Sequence, residues 1–188
     1  NVGVMKPVTS GCSDLDGYLV SSDAEMLAWG AGIPKVTRDI APYLLRKPIA
    51  PSEAASPDGV RIDFSTIKDA FNKLEQEHDF MIVEGAGGLM VPLVGGLLVA
   101  DLITALNLPA LVVTRPNLGT INHTLLTTFA ARQMGINVSG IIINSYPTEP
   151  DEAESYVPHL LGSLAGAPIL GVFPRIHDTD LHLAINRM

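Results

Sequence analysis

The chain has 188 residues, of which 47% are hydrophobic and 17% charged, and its formal net charge is −8. That hydrophobic share excludes a disordered chain and supports a buried core in a single domain over 1–188, and no apolar run approaches the roughly 18 residues of a membrane span. The acidic balance disfavours a nucleic-acid backbone as the main partner, while leaving room for a small anion at a locally positive site.

In chain order, the first apolar run is Val2 to Val8, which reads as a strand. Asp39 to Asp58 follows as an irregular excursion, because Pro42, Pro48, Pro51 and Pro57 deny it a core helix. Phe64 to Gln76 predicts an amphipathic helix with Ile67, Ala70, Phe71 and Leu74 on its buried face. Phe80 to Val83 predicts a second strand, Ala100 to Leu106 a helix, and Ala110 to Thr114 a third strand. Asn122 to Met134 predicts a helix buried along Leu125, Leu126, Phe129, Ala130 and Met134. Gly140 to Ile143 and Ile169 to Phe173 complete the strands. These runs are rich in Val and Ile and mostly continuous, the pattern of parallel strands buried on both faces. Alternation with helices predicts a doubly wound α/β fold, a mostly parallel sheet with helices on both faces. In such folds ligands sit beyond the carboxyl ends of the strands, so residues following the strands carry the functional interest.

Six stretches answer that description. Lys6-Pro7-Val8-Thr9-Ser10-Gly11 follows the first strand and offers a point charge with hydroxyl and amide donors, suited to an anion; read alone, Lys6 is an ordinary solvated lysine. Ser22-Asp23-Ala24-Glu25 opens a helix, either as an N-cap or as a carboxylate near Mg²⁺. Val83-Glu84-Gly85-Ala86-Gly87-Gly88 places a carboxylate at the tip of an apolar strand, followed by glycines that let backbone amides approach a phosphate. Arg115-Pro116-Asn117-Leu118-Gly119-Thr120-Ile121-Asn122-His123 joins a strand to a helix, with either an anion site on the free amides of Gly119 and Thr120 or ordinary capping by Thr120 or Asn122. Asn144 follows a strand as a turn residue or a reader of a base edge. Pro174, Arg175 and Ile176 follow another, as a plain loop or a wall against a flat ring. The single cysteine, Cys12, excludes a disulfide framework, suits a reducing cytoplasm and has no activating partner in the sequence. No histidine or cysteine pair has zinc-ligand spacing.

Taken in order, the strings VMKPVTSG at 4–11, SSDAE at 21–25, IVEGAGGLMVPL at 82–93, ADLI at 100–103, LVVTRPNLGTINHTLLT at 111–127, GIIIN at 140–144 and ILGVFPRI at 169–176 resemble the dethiobiotin synthetase family across nearly the whole chain. The resemblance implies a P-loop NTPase-like fold. It also implies a biotin-synthesis ligase that joins 7,8-diaminononanoate with CO₂ at the expense of ATP, with Mg²⁺ as the metal. The family opens with a strand, a glycine-rich loop ending in Gly-Lys-Thr, and a helix. None of these has a counterpart in 1–188, so the chain is expected to be N-terminally incomplete, lacking the first strand and the P-loop.

Carried over residue by residue, the resemblance gives Lys6 the carbamate and the transferring phosphoryl group, and sets Ser10 beside the diamine. It gives Asp23 and Glu84 the Mg²⁺, and Glu84, Gly85, Ala86 and Gly87 the nucleotide. Asn144, Ser145, Pro174, Arg175 and Ile176 are implied around adenine. Gly119, Thr120, Ile121 and Asn122 match a helix start that a partner subunit lends to the substrate carboxylate, which implies a homodimer. Two alternatives remain at this stage: a related P-loop amidotransferase of the cobyrinate type, and a non-catalytic module that binds a nucleotide or dimerises.

Overall fold

The computed structural model describes residues 1–176, which fall in two compact units, Asn1–Asn107 and Leu108 onward. In the first unit, β1 (Val2–Met5) pairs in parallel with β6 (Phe80–Val83). Between them the chain forms β2 (Val8–Ser10), the hairpin β3 (Ser13–Leu15) and β4 (Tyr18–Val20), α1 (Ser22–Gly30), β5 (Tyr43–Leu45), α2 (Pro51–Ala55) and α3 (Phe64–Glu77). The hairpin β7 (Pro92–Val94) and β8 (Leu97–Leu98) and the helix α4 (Val99–Leu106) close the unit.

The expected strand over Val2 to Val8 is interrupted. β1 stops at Met5, and β2 starts at Val8 against a different partner, β5. Pro7 has no N–H for a ladder, and the Lys6 N–H turns aside to the Ile40 carbonyl at 2.8 Å. That break sets Lys6 at a strand end. The proline-rich excursion contains only the short β5 and the five-residue α2, whose first residue is Pro51, at a position where a missing N–H costs nothing.

Helix α3 spans the predicted segment and buries the predicted Ile67, Ala70, Phe71 and Leu74. Each large side chain of that set contributes about 1.5–3 kcal/mol by leaving water. Asp63 caps its start, accepting from the Ser65 N–H at 2.8 Å and the Ser65 hydroxyl at 2.9 Å.

The second unit is a parallel three-stranded sheet in the order β11 (Ile169–Pro174), β10 (Val138–Tyr146), β9 (Ala110–Thr114), with α5 (Thr120–Gln133) and α6 (Glu152–Leu164). Ile141 and Ile143 of β10 are fully buried, packed with Ala165 and Leu161 respectively. Helix α6 carries a reciprocal cap between Asp151 and Glu154 and contains Pro158. That proline removes the N–H that would bond the Glu154 carbonyl four residues earlier. The Tyr146 hydroxyl donates to this carbonyl instead, at a long 3.3 Å.

Two expectations are corrected. Strands β6, β9 and β11 are not buried on both faces: Phe80, Ile82, Leu111, Val113, Leu170 and Val172 are exposed, because nothing among the described residues covers those faces. The buried face of α5 is also not the predicted apolar stripe. Leu126 and Phe129 are exposed, and the helix buries Thr120, Thr124, Thr128 and Ala131. The reason is a hydroxyl partner waiting at the end of β9, described below. No helix of the described residues is long and apolar enough to cross a membrane.

Candidate active site

The register of β1 against β6 builds the centre of the first unit. Met5 pairs with Val83, and the Glu84 N–H donates to the Met5 carbonyl at 2.8 Å. The next residue on each strand therefore leaves the sheet at the same level, and these residues are Lys6 and Glu84. The Lys6 ammonium reaches Glu84 Oε1 at 2.5 Å and the Gly85 carbonyl at 3.2 Å. Its third contact is Asp23 Oδ2 at 2.9 Å. The ammonium thus makes two hydrogen bonds and a second ion pair. The Lys6 side chain is 5% exposed, whereas Asp23 and Glu84 are 50% and 47% exposed. A buried cation therefore holds two carboxylates that still face solvent.

Asp23 is free for this role because it does not cap α1. Ser21 does, accepting from the Ala24 N–H at 3.1 Å while donating its own hydroxyl to Thr9 Oγ1 at 3.2 Å. Sequence reasoning placed the cap on Ser22 or Asp23 and missed Ser21. The adjacent pair Ser21-Ser22 carried the signal, since either serine suits that position. Ser10 ends β2, and its hydroxyl is a buried polar atom with no hydrogen-bond partner among the described residues. A group of this kind costs about 1–3 kcal/mol until something bonds it.

The glycines after Glu84 have structural reasons. Gly87 has φ +74°, a conformation that disfavours side chains, and a Cβ on Gly85 would come 3.2 Å from Val99. Ala86, between them, is half-buried. Cys12 is buried, and its thiol sits 3.6 Å from the Thr9 carbonyl. Burial pushes its pKa up, as do the Asp23 and Asp58 charges more weakly, against the lowering effect of a backbone hydrogen bond at Leu45, so the neutral thiol is favoured.

In the second unit, α5 begins after Gly119, whose φ is +94° and which supplies no side-chain cap. Neither Thr120 nor Asn122 caps the helix. The N–H groups of Ile121 and Asn122 carry no hydrogen bond among the described residues, while the Thr120 hydroxyl goes to Thr114 at 2.6 Å. Beyond β10, Asn144 is exposed and its side-chain oxygen accepts from the Ser145 N–H at 2.9 Å, with Ser145 at φ +58°. The Tyr146–Pro174 register and the bond from the Arg175 N–H to the Tyr146 carbonyl, 2.8 Å, bring Pro174, Arg175 and Ile176 beside this stretch.

Mg²⁺ takes oxygen ligands, few of them from protein, and keeps waters and substrate oxygens in the remaining positions. Asp23 and Glu84 meet that requirement: both are hard carboxylates, half exposed, and they converge on one point. No group of three or more His, Cys, Asp or Glu among the described residues could hold a metal ion. A metal at the Asp23–Glu84 pair would thus complete its shell from nucleotide and water. An open groove of about 340 Å³ lined by Ser52, Arg61, Ile62 and Leu93 contains none of these residues and has no convergent acid and base.

Comparison with known proteins gives the family. A family model described as an AAA domain matches residues 1–182. The ATP-dependent dethiobiotin synthetase BioD of Bacillus licheniformis is 40% identical over 185 residues, covering 97% of this chain and 77% of that protein. Its counterpart in Thermodesulfovibrio yellowstonii is 41% identical over 187 residues, covering 95% and 78%. The counterpart in Bacillus subtilis strain 168 is 39% identical, covering 97% and 80%. Among solved structures, a ParA family ATPase from Chlorobium tepidum shares the fold, with a TM-score of 0.53, 17% identity, and coverage of 98% of this chain and 76% of that one. At such identities over most of both chains, this α/β chain belongs to the ATP-dependent dethiobiotin synthetase family.

Proposed function

We propose that this protein forms dethiobiotin from 7,8-diaminononanoate, CO₂ and ATP, as a homodimer whose two units act as parts of one domain over 1–188. One amine adds to CO₂ and loses a proton to give a carbamate. A carbamate oxygen attacks the γ-phosphorus of ATP, the bond to the bridging oxygen breaks, and ADP leaves. The second amine then attacks the carbamoyl carbon, loses a proton and expels phosphate, closing the cyclic urea. Negative charge accumulates at the carbamate and the transferring phosphoryl group, so fixed cations supply most of the catalysis.

In this reading Lys6 neutralises the carbamate and the phosphoryl group, and the unpartnered Ser10 hydroxyl bonds the diamine. Asp23 and Glu84 hold Mg²⁺, which when bound supplies charge neutralisation on the phosphates. Gly85, Ala86 and Gly87 lie against the nucleotide. Asn144, Ser145, Pro174, Arg175 and Ile176 contact adenine, and the helix start at Gly119, Thr120, Ile121 and Asn122 binds the distal carboxylate of the partner subunit's substrate.

The observation that carries the reading is the ammonium of Lys6 between two half-exposed carboxylates at adjoining strand ends. The test is dethiobiotin formation by the full-length protein. Lys6→Ala is expected to lower kcat/KM by about 10²–10³, and Glu84→Gln to abolish magnesium-dependent turnover with the circular dichroism spectrum unchanged. Full turnover by Glu84→Gln would remove the metal assignment, and absence of dethiobiotin from the unaltered protein would remove the reaction.

A further inference from the structure

We infer that Thr114 is a positioning residue for substrate-carboxylate binding, because its hydroxyl ties the uncapped start of α5 to the end of β9. The inference rests on the reading above, in which that helix start receives the carboxylate.

Thr114 is the last residue of β9, and its Oγ1 lies 2.6 Å from Thr120 Oγ1 and 2.8 Å from Thr124 Oγ1. Thr120 and Thr124 are one turn apart on one face of α5, and both are buried, as is Thr128 a turn further on. Thr128 satisfies itself along the helix, donating to the Leu125 carbonyl at 3.2 Å. Burial alone does not call for threonine here. Valine has nearly the same shape and carries no polar atom to desolvate, whereas a buried hydroxyl is costly unless bonded. The three hydroxyls provide direction: a hydrogen bond restricts distance and angle in a way that an apolar contact does not.

The place where that direction acts is specific. Thr120 is the first residue of α5 and could turn its hydroxyl toward the free amides of its own helix. It is engaged with Thr114 instead, so the Ile121 and Asn122 N–H groups stay available to an anion. The connecting segment does little to hold the helix start. Arg115, Asn117, Leu118 and Gly119 are exposed, and only Pro116 is buried. Without the Thr114 tether, the amides would sample a wider range of orientations and hold a carboxylate less well. The reacting amines, bound elsewhere, would be unaffected.

The experiment compares 7,8-diaminononanoate with 2,3-diaminononane, a vicinal diamine of the same length lacking the carboxylate, on the full-length protein. In Thr114→Val the KM for the diamino acid is expected to rise about tenfold, the loss of roughly one hydrogen bond. The KM for ATP, the kcat, and kcat/KM for the carboxylate-free diamine should stay at the unaltered values. Thr114→Ser, which keeps the hydroxyl, should restore the KM. Thr124→Val leaves the Thr114–Thr120 bond in place and should lower the melting temperature without moving the KM. If Thr114→Val does not fold, Thr114→Ala carries the same comparison. An unchanged KM, equal impairment of both substrates, or no recovery in Thr114→Ser overturns the inference. An unaltered protein that forms no dethiobiotin, or handles both diamines equally well, overturns the underlying reading instead.

Discussion

Lys6 shows how much a single backbone break decides. Pro7 ends β1, Lys6 leaves the sheet level with Glu84, and the buried ammonium meets Glu84 and Asp23 together. Breaking such a contact from the cation side leaves two like charges facing each other, but both carboxylates remain half solvated. Lys6→Met is therefore expected to fold, with activity lost far out of proportion to any change in melting temperature. Lys6→Arg should not rescue activity, because a planar fork does not reproduce a compact three-donor ammonium in a buried site. Cys12 yields a prediction of the opposite kind. Burial raises its thiol pKa, so at pH 7 the neutral thiol prevails. Maleimide labelling should be slow in the native protein, quicken as pH rises toward the raised value, and become fast on unfolding in urea. Rapid native labelling at pH 7 would contradict this assignment. Glu84 was legible because a carboxylate at the end of an apolar strand and before a run of glycines stands out in a sequence; Lys6, which read alone as a solvated lysine, is buried, and only the family resemblance had singled it out. The Ser21 cap and the orphaned Ser10 hydroxyl were not legible, since both depend on what the tertiary fold brings beside them.

At the scale of elements, legibility followed periodicity. Helix α3 was readable to within a residue because four apolar positions at helical spacing leave one solution. Its cap adds a pH dependence. Hydrogen bonds from the Ser65 N–H and hydroxyl hold the Asp63 carboxyl below the usual carboxylate range. A depressed folded-state value stabilises the fold above the unfolded pKa, and the contribution disappears as pH falls through the folded one. Asp63→Ala should therefore lower the melting temperature at neutral pH and narrow the gap from the unaltered protein in acid; a constant gap would rule out the linkage. Helix α6 offers a second test. Tyr146→Phe leaves the Glu154 carbonyl without its donor, at a cost of about 0.5–1.5 kcal/mol. In a Pro158→Ala background the helix supplies its own N–H, so the same change should cost less, a coupling measurable by urea unfolding of the four variants. The misread element was α5. Its leucines and phenylalanine suggested the buried face, but the buried line is the threonine series, because hydroxyls paired with Thr114 enter the interior without an unsatisfied group.

For the whole molecule, the proposed sharing of sites between subunits predicts complementation. A Lys6→Ala protomer and a Gly119→Val protomer, strained at its φ of +94°, are each expected to be inactive as homodimers. Mixing them should return part of the activity, because a mixed dimer keeps one intact pairing; no recovery would count against a shared site. The amino-acid sequence by itself determined the strands β1, β6, β9, β10 and β11, the helices α3, α4 and α5, and the charged residues at the strand ends, though not β2, the hairpins or α6. These are local properties, encoded in runs of apolar side chains and in the residues that interrupt them. Tertiary structure alone decided which strand faces stay uncovered, which side of α5 turns inward, and that Lys6, Asp23 and Glu84 meet at one point. The last of these depends on parallel register between segments separated by 78 residues along the chain, and no local pattern encodes a pairing made at that distance.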